Sequence, residues 1–410
     1  MTSEAVLPHP DNAGARPRTD SREGAIAYTD QVLLLAPSRG LGGGIERYVQ
    51  TVQAAFAERN VTCQRLDLAR PGLAGHRALY AEAAAAVATR AGRSHRVIVA
   101  HRALLPIAAL LSRNRRVSGV SVICHGSDVW HSLGDPRARL ERWLMRQRNV
   151  RIVTASSFTA GSLLLFAGQA AILPPGLSRA WFSELVAADA AAVARRSDPQ
   201  VGLELMTAFR LCDWQDKGLP QVTAAIAALG RKDIRLTVCG SGEPSAELLA
   251  HIAAYPWCRV RPGLTDRELA AQLASSDLFV LATRTRPGRR ACGEGFGLVL
   301  LEAQVAGTAV VGPAHGGSPG AYLEGVTGAT PRDESVAALA AVLAELMEQP
   351  HRLAEMGTRG AEWARVSFAP DRYSRLAVDR LLLRPPQSKV IIQSPRRPWQ
   401  RARPARTPAR

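Results

Sequence analysis

Two separate series of alternating strand-like and helix-like segments constrain this 410-residue chain more than any other feature. In the first, residues 31–36, 62–68, 96–100, 119–124 and 150–154 are short apolar runs with helical stretches between them. A break at Pro174, Pro175 and Gly176, then a helix and linker over about 180–200, separate it from the second. There the strands are 203–208, 234–239, 258–260, 277–282 and 308–311, with helical patterns near 219–229, 245–254, 266–275, 298–306 and 335–348. Such alternation predicts a parallel sheet with helices on both faces. Two series predict two doubly wound α/β domains side by side, and ligands then bind in the cleft between the carboxyl ends of the sheets. The expected boundaries are an N-terminal extension over 1–28, domains over 29–198 and 199–367, a last helix over 368–383 and a tail over 384–410.

The length agrees with two cores rather than one. No apolar run is long enough to span a bilayer, and the N-terminus lacks a leader-like apolar segment, so a cytoplasmic protein is expected. The six cysteines have neither zinc nor redox spacing and read as reduced and mostly structural. The formal charge is +17. Eight basic residues and no acidic one fall in 384–410, a proline-rich stretch expected to be disordered. That tail could touch an anionic membrane surface or nucleic acid; a solubilising extension is the plainer reading.

Chemistry concentrates first at Glu294-Gly-Phe-Gly-Leu-Val-Leu-Leu-Glu302. A loop opening a helix there puts Glu294 at the helix mouth and Glu302 about two turns on. Backbone N–H groups near Gly295, Phe296 and Gly297 would face an anion at that mouth. The device suits a sugar diphosphate, with carboxylates accepting hydrogen bonds from hydroxyls. An ordinary surface loop with a half-buried helix has the same spacing.

Arg210 and Lys217 follow the strand 203–208, where two cations could neutralise a departing diphosphate. Lysine occurs only at 217, 232 and 389 in an arginine-rich chain, which draws attention to Lys217. Gly240-Ser-Gly-Glu243 ends the next strand in a turn able to admit a ligand. In the first domain, a glycine loop over 40–44 opens a helix. It lacks the third glycine of a dinucleotide fingerprint and suits a phosphate or an acceptor, or a simple tight turn. His125-Gly-Ser-Asp128 ends the strand 119–124, where a histidine suits a sugar hydroxyl; a satisfied core histidine is the plainer reading.

Taken together, these pieces resemble the retaining glycosyltransferases of family 4, which have the GT-B architecture. The resemblance covers about 29–383. It rests on Gly42-Gly-Gly-Ile-Glu-Arg47, His125-Gly126, Arg210 with Lys217-Gly218, Gly240–Glu243 and the Glu294/Glu302 element. It implies an acceptor-binding first domain, a nucleotide-sugar-binding second domain and a last helix crossing back to the first. Arg210 and Lys217 would hold the donor diphosphate, and the amides of Gly295, Phe296, Gly297 and Leu298 its phosphates. Glu294 would meet the donor sugar, Glu302 the ribose, and Gly240 the donor. Gly43 and Gly44 would lie by donor and acceptor, His125 by the transferred sugar, and Asp128 by the acceptor. The catalytic set is then His125, Arg210, Lys217 and Glu294, with no metal and no cofactor besides the nucleotide-sugar substrate.

UDP is expected over GDP, and a secondary-metabolite, lipid-linked or glycan acceptor, as in antibiotic or glycolipid biosynthesis. The Arg210-to-Lys217 loop is longer than in many members. The stretch 284–290 is unusually basic and suits a charged donor or a phosphorylated acceptor. A nucleotide-sugar epimerase, a dinucleotide oxidoreductase and a non-enzymatic nucleic-acid or membrane binding protein stay open as alternatives.

Overall fold

The computed structural model describes residues 31–37, 43–89, 94–126, 136–147, 149–192, 202–286 and 291–382. The terminal segments 1–28 and 384–410, Asp128, Arg289 and Arg290 lie outside them.

The first sheet has strands β1 (Gln31–Ala36), β2 (Cys63–Asp67), β3 (His95–Val99), β4 (Val117–Cys124), β5 (Val150–Thr154) and β6 (Ala171–Ile172), in the order β2-β1-β3-β4-β5-β6. All its pairings are parallel. The connecting helices are α1 (Gly44–Glu58), α2 (Gly72–Thr89), α3 (Leu105–Leu111), α4 (Pro136–Met145) and α5 (Ser157–Ala167). β1 and β3 are buried almost throughout, as expected for central strands covered on both faces.

Next comes α6 (Arg179–Ala192), then the second sheet: β7 (Leu203–Ala208), β8 (Ile234–Gly240), β9 (Cys258–Pro262), β10 (Leu278–Val280), β11 (Ala309–Val311) and β12 (Gly328–Ala329). Its order is β12-β11-β10-β7-β8-β9, again all parallel. Around it lie α7 (Leu219–Ala228), α8 (Ala246–Ala253), α9 (Asp266–Ala274), α10 (Leu298–Val305), α11 (Val336–Met347) and α12 (Pro350–Ser367), and the chain then forms α13 (Pro370–Leu382). The two-domain α/β architecture read from the sequence is thus present. The strand order reverses between β1 and β3 in one sheet and between β7 and β10 in the other, and a crevice opens at such switch points.

Two helices exchange partners between the halves. Trp181 and Leu185 of α6 pack with Phe279, Leu300 and Leu301 of the second half, although α6 falls in the 29–198 range. In the other direction α13 crosses back onto α1. Its Tyr373, Ala377 and Leu381 join Val52 and Phe56 in the first-half core. Burying a Leu side chain such as Leu381 contributes about 1.5–3 kcal/mol. Polar contacts fix the register of this strap. Ser121 donates to the Leu381 carbonyl (2.8 Å), and Arg59 Nε donates to Ser374 (2.9 Å).

The sequence patterns did not include α12 or β12. In α12, Gly357 and Gly360 interrupt the helical signal, yet Gly357 is needed. A Cβ on Gly357 would sit 2.5 Å from the Gly307 carbonyl oxygen, so tertiary packing overrides local propensity there.

Candidate active site

The loop after β7 begins the site. Arg210 precedes a short 3-10 turn over Leu211–Asp213 and pairs with Asp213 (2.7 Å). The turn buries Trp214 in the second core and delivers Lys217 to the sheet's switch point. Gly218, at φ +78°, starts α7 in the left-handed conformation. A Cβ there would lie 1.9 Å from the Ala282 carbonyl oxygen, so only glycine lets this loop press against the end of β10.

That close approach brings Lys217 to Glu294, with Nζ and Oε2 2.9 Å apart and both side chains half-buried or deeper. Thr283 Oγ1 donates to the same oxygen (3.2 Å), and the Gly297 N–H donates to Oε1 (3.0 Å). Three donors fix the orientation of this carboxylate. The Gly297 amide, expected to face a phosphate, is here taken by Glu294. Gly297, at φ +84°, is the N-cap of α10, and Leu298 is its first residue. The Phe296 side chain is buried and packs edge-on against Phe368, so only its backbone is available to a ligand.

Glu302 stands elsewhere than beside Glu294. It is buried on α10 (4 % exposed), and its Oε1 accepts from Arg47 Nη1 (3.0 Å) and from Trp181 Nε1 (2.9 Å). Arg47 also reaches Asp266 at the start of α9 (3.0 Å), and its guanidinium lies 5.1 Å from the Trp181 ring centroid. The nearby Glu302 carboxylate holds the Arg47 guanidinium above its ordinary range. Burial pushes the Glu302 carboxyl above its own ordinary range, and the contact ties α1 to α6, α9 and α10. Sequence reasoning quoted Arg47 but gave it no role, and it missed Trp181, Asp266 and Thr283. The one available signal was the position of Arg47 at the end of the Gly42–Arg47 string.

The first half reaches the same place from the opposite side. His125 leaves the end of β4, and its Nε2 lies 2.7 Å from the Ala100 carbonyl oxygen. A carbonyl only accepts, so Nε2 donates to it. Tyr48 meets this ring edge-on (5.1 Å) and His101 stacks on it (6.0 Å). The backbone of His125 touches Gly295: a Cβ on Gly295 would lie 1.8 Å from the His125 carbonyl oxygen. Gly43, at φ +91°, caps α1, and its missing Cβ would lie 3.4 Å from Arg210 Cδ. Arg210 thus extends across the cleft to the glycine loop. Gly44 opens α1 with nothing within 4 Å of its Cβ position.

Gly240 ends β8, where a Cβ would meet the Phe209 carbonyl oxygen at 2.0 Å. It shapes the sheet edge and has no described contact with Lys217 or Glu294. In the basic stretch, Arg284 pairs with Glu334 (3.3 Å) and Arg286 with Asp216, so two of its cations are matched by the chain's own acids. Among the described residues, no group of three or more His, Cys, Asp or Glu is placed to hold a metal. Cysteines 63, 124, 212, 239, 258 and 292 form no disulfide.

The arrangement is a closed cleft. On one wall stand a lysine–glutamate pair and a helix mouth, and on the other a histidine and a glycine-capped helix. Comparisons with known proteins agree with it. Residues 214–363, which contain Lys217, Glu294 and Glu302, match the family described as glycosyl transferases group 1. Over 297 residues the chain is 29 % identical to the GDP-mannose-dependent alpha-(1-6)-phosphatidylinositol monomannoside mannosyltransferase of Mycobacterium tuberculosis (strain CDC 1551 / Oshkosh), covering 67 % of this chain and 72 % of that protein. It is 29 % identical over 204 residues to the D-inositol 3-phosphate glycosyltransferase of Streptomyces coelicolor, covering 47 % of this chain and 43 % of that one. The solved sucrose-phosphate synthase of Thermosynechococcus elongatus shares the fold. Its TM-score is 0.67 at 16 % identity, over 84 % of this chain and 97 % of that one. With this two-sheet fold, that match over residues 214–363 and these relatives, the chain is a glycosyltransferase of GT-B architecture whose second half is similar to the group 1 glycosyl transferases.

Proposed function

We propose that the protein moves a hexose, mannose first among candidates, from a nucleotide diphosphate to a hydroxyl of a lipid-linked or glycan acceptor, with retention at the anomeric carbon. The observation that carries this reading is the Lys217–Glu294 contact at the β7/β10 switch point, directly beneath the His125 backbone. The donor diphosphate replaces Glu294 as the partner of Lys217 and draws in Arg210. Glu294 is thereby released toward the sugar hydroxyls. As the sugar–phosphate bond breaks, charge grows on the leaving diphosphate, and the two cations stabilise it more in the transition state than in the ground state.

The acceptor hydroxyl attacks from the side the leaving group occupies and gives its proton to the departing phosphate. His125 orients the sugar, and the closed cleft excludes water. In this reading the reaction uses no metal and no cofactor besides the sugar nucleotide.

The sequence expectation of UDP rested on frequency among similar enzymes. The name of the Mycobacterium relative specifies GDP-mannose, and its match covers most of this chain, so we place GDP-mannose ahead of UDP-sugars. The test incubates purified protein with GDP-mannose, UDP-glucose and other sugar nucleotides, together with phosphatidylinositol mannosides and inositol phosphates, and reads products by mass spectrometry. A gain of one hexose on an acceptor supports the proposal. An isomerised donor without acceptor would favour the epimerase reading instead.

A further inference from the structure

We infer that the outward face of α4 and the neighbouring end of α3 form a docking surface for an anionic bilayer. α4 has two faces. Leu144 and Met145 are buried in the first-half core, whereas Leu140 and Trp143, one turn apart, are 56 % and 52 % exposed. Leu110 near the end of α3 is 47 % exposed, and Arg113 just beyond it lies over the Trp143 ring at 5.7 Å. The two helices therefore share one apolar patch, anchored by an indole. On the same two elements Arg113 and Arg115, just after α3, and Arg139 and Arg146, on α4 and just after it, are exposed, Arg142 is half-buried, and the exposed Arg116 donates to the Ala88 carbonyl. The single acid of α4, Glu141, is paired with Arg102 at 2.5 Å, so it offsets little of this charge.

An indole and leucines on elements that also carry exposed guanidinium groups match the layered polarity of a bilayer surface. The apolar groups enter the headgroup boundary while the arginines meet lipid phosphates. α4 follows β4, whose carboxyl end carries His125, and helices of a doubly wound sheet run back from the carboxyl ends of their strands. The N-terminal end of α4 therefore lies on the cleft side of the sheet. As a route for a lipid-linked acceptor, the surface rests on the transfer reading; as a membrane contact, it does not.

The test is co-sedimentation of the full chain with phosphatidylcholine vesicles and with vesicles holding about one third phosphatidylglycerol, where each surface arginine contributes roughly fivefold to partitioning. The protein is expected on the anionic vesicles only, with binding falling as salt is raised. Leu140→Ser with Trp143→Ser is expected to lower partitioning about tenfold or more. Arg113→Ser with Arg139→Ser, which leaves the apolar patch in place, is expected to lower it by a similar factor. Transfer to a water-soluble acceptor should stay unchanged in both variants, and this separates loss of docking from loss of the enzyme. Failure of the full chain to bind anionic vesicles, equal binding to neutral ones, or undiminished binding by both variants would overturn the inference.

Discussion

Arg47 and Glu302 lie 255 residues apart in sequence and meet across the cleft at 3.0 Å, with Trp181 donating to the same carboxylate oxygen. The first half of the enzyme is therefore tied to the second through one guanidinium. Arg47→Met keeps the stem but leaves a buried carboxylate without its countercharge. We expect a loss of about 2 kcal/mol in stability, typical of a charge-assisted hydrogen bond. A larger radius of gyration in solution scattering should accompany it. Glu302→Gln should lose less, and the double-mutant cycle should give a coupling above about 1 kcal/mol. Strictly additive effects would show that the contact does not hold the domains.

Gly295 has no room for a side chain because the His125 carbonyl occupies the space. Gly295→Ala should force the first half away while leaving the second-half fold intact. Turnover should fall about 100-fold, as misplacement of reacting groups by an ångström commonly costs. The melting temperature should change little. Assay and calorimetry on one preparation check both; a variant with normal turnover would mean that the closed approach is not the working one.

Much of this was legible in the sequence, for identifiable reasons. Apolar runs such as Gln31–Ala36 mark strands buried on both faces, and their alternation with helices leaves few topologies. Lys217 was legible as a rare lysine following the strand 203–208, and Glu294 as a carboxylate on a glycine-punctuated loop that opens a helix. The Arg47–Glu302 pair was not, since nothing local to either residue encodes a partner in the other half. The loss of the Gly297 amide to Glu294 was likewise hidden, because one hydrogen bond decides it. The helix exchange involving α6 became visible only once the burial of Trp181 and Leu185 showed which core they fill.

His251 supplies a pH dependence outside the cleft. Burial beside Trp214 lowers its imidazole below the ordinary value of 6.5, and it lies 3.0 Å from Thr223 Oγ1. The unfolded chain therefore takes up this proton more readily than the folded one. The stability associated with the neutral ring is present above pH 6.5 and is lost as pH falls through the lower folded value. Urea unfolding at a series of pH values should show this decline, and His251→Gln should flatten it. An unchanged slope would remove His251 as its source.

The central claim is that Lys217, held by Glu294 in the closed cleft, neutralises the charge developing on the donor diphosphate. The direct measurement is the single-turnover rate of Lys217→Ala at saturating donor, beside wild type. A drop of about 100-fold or more, with donor affinity reduced far less, is the result this account predicts. A rate close to wild type would contradict it.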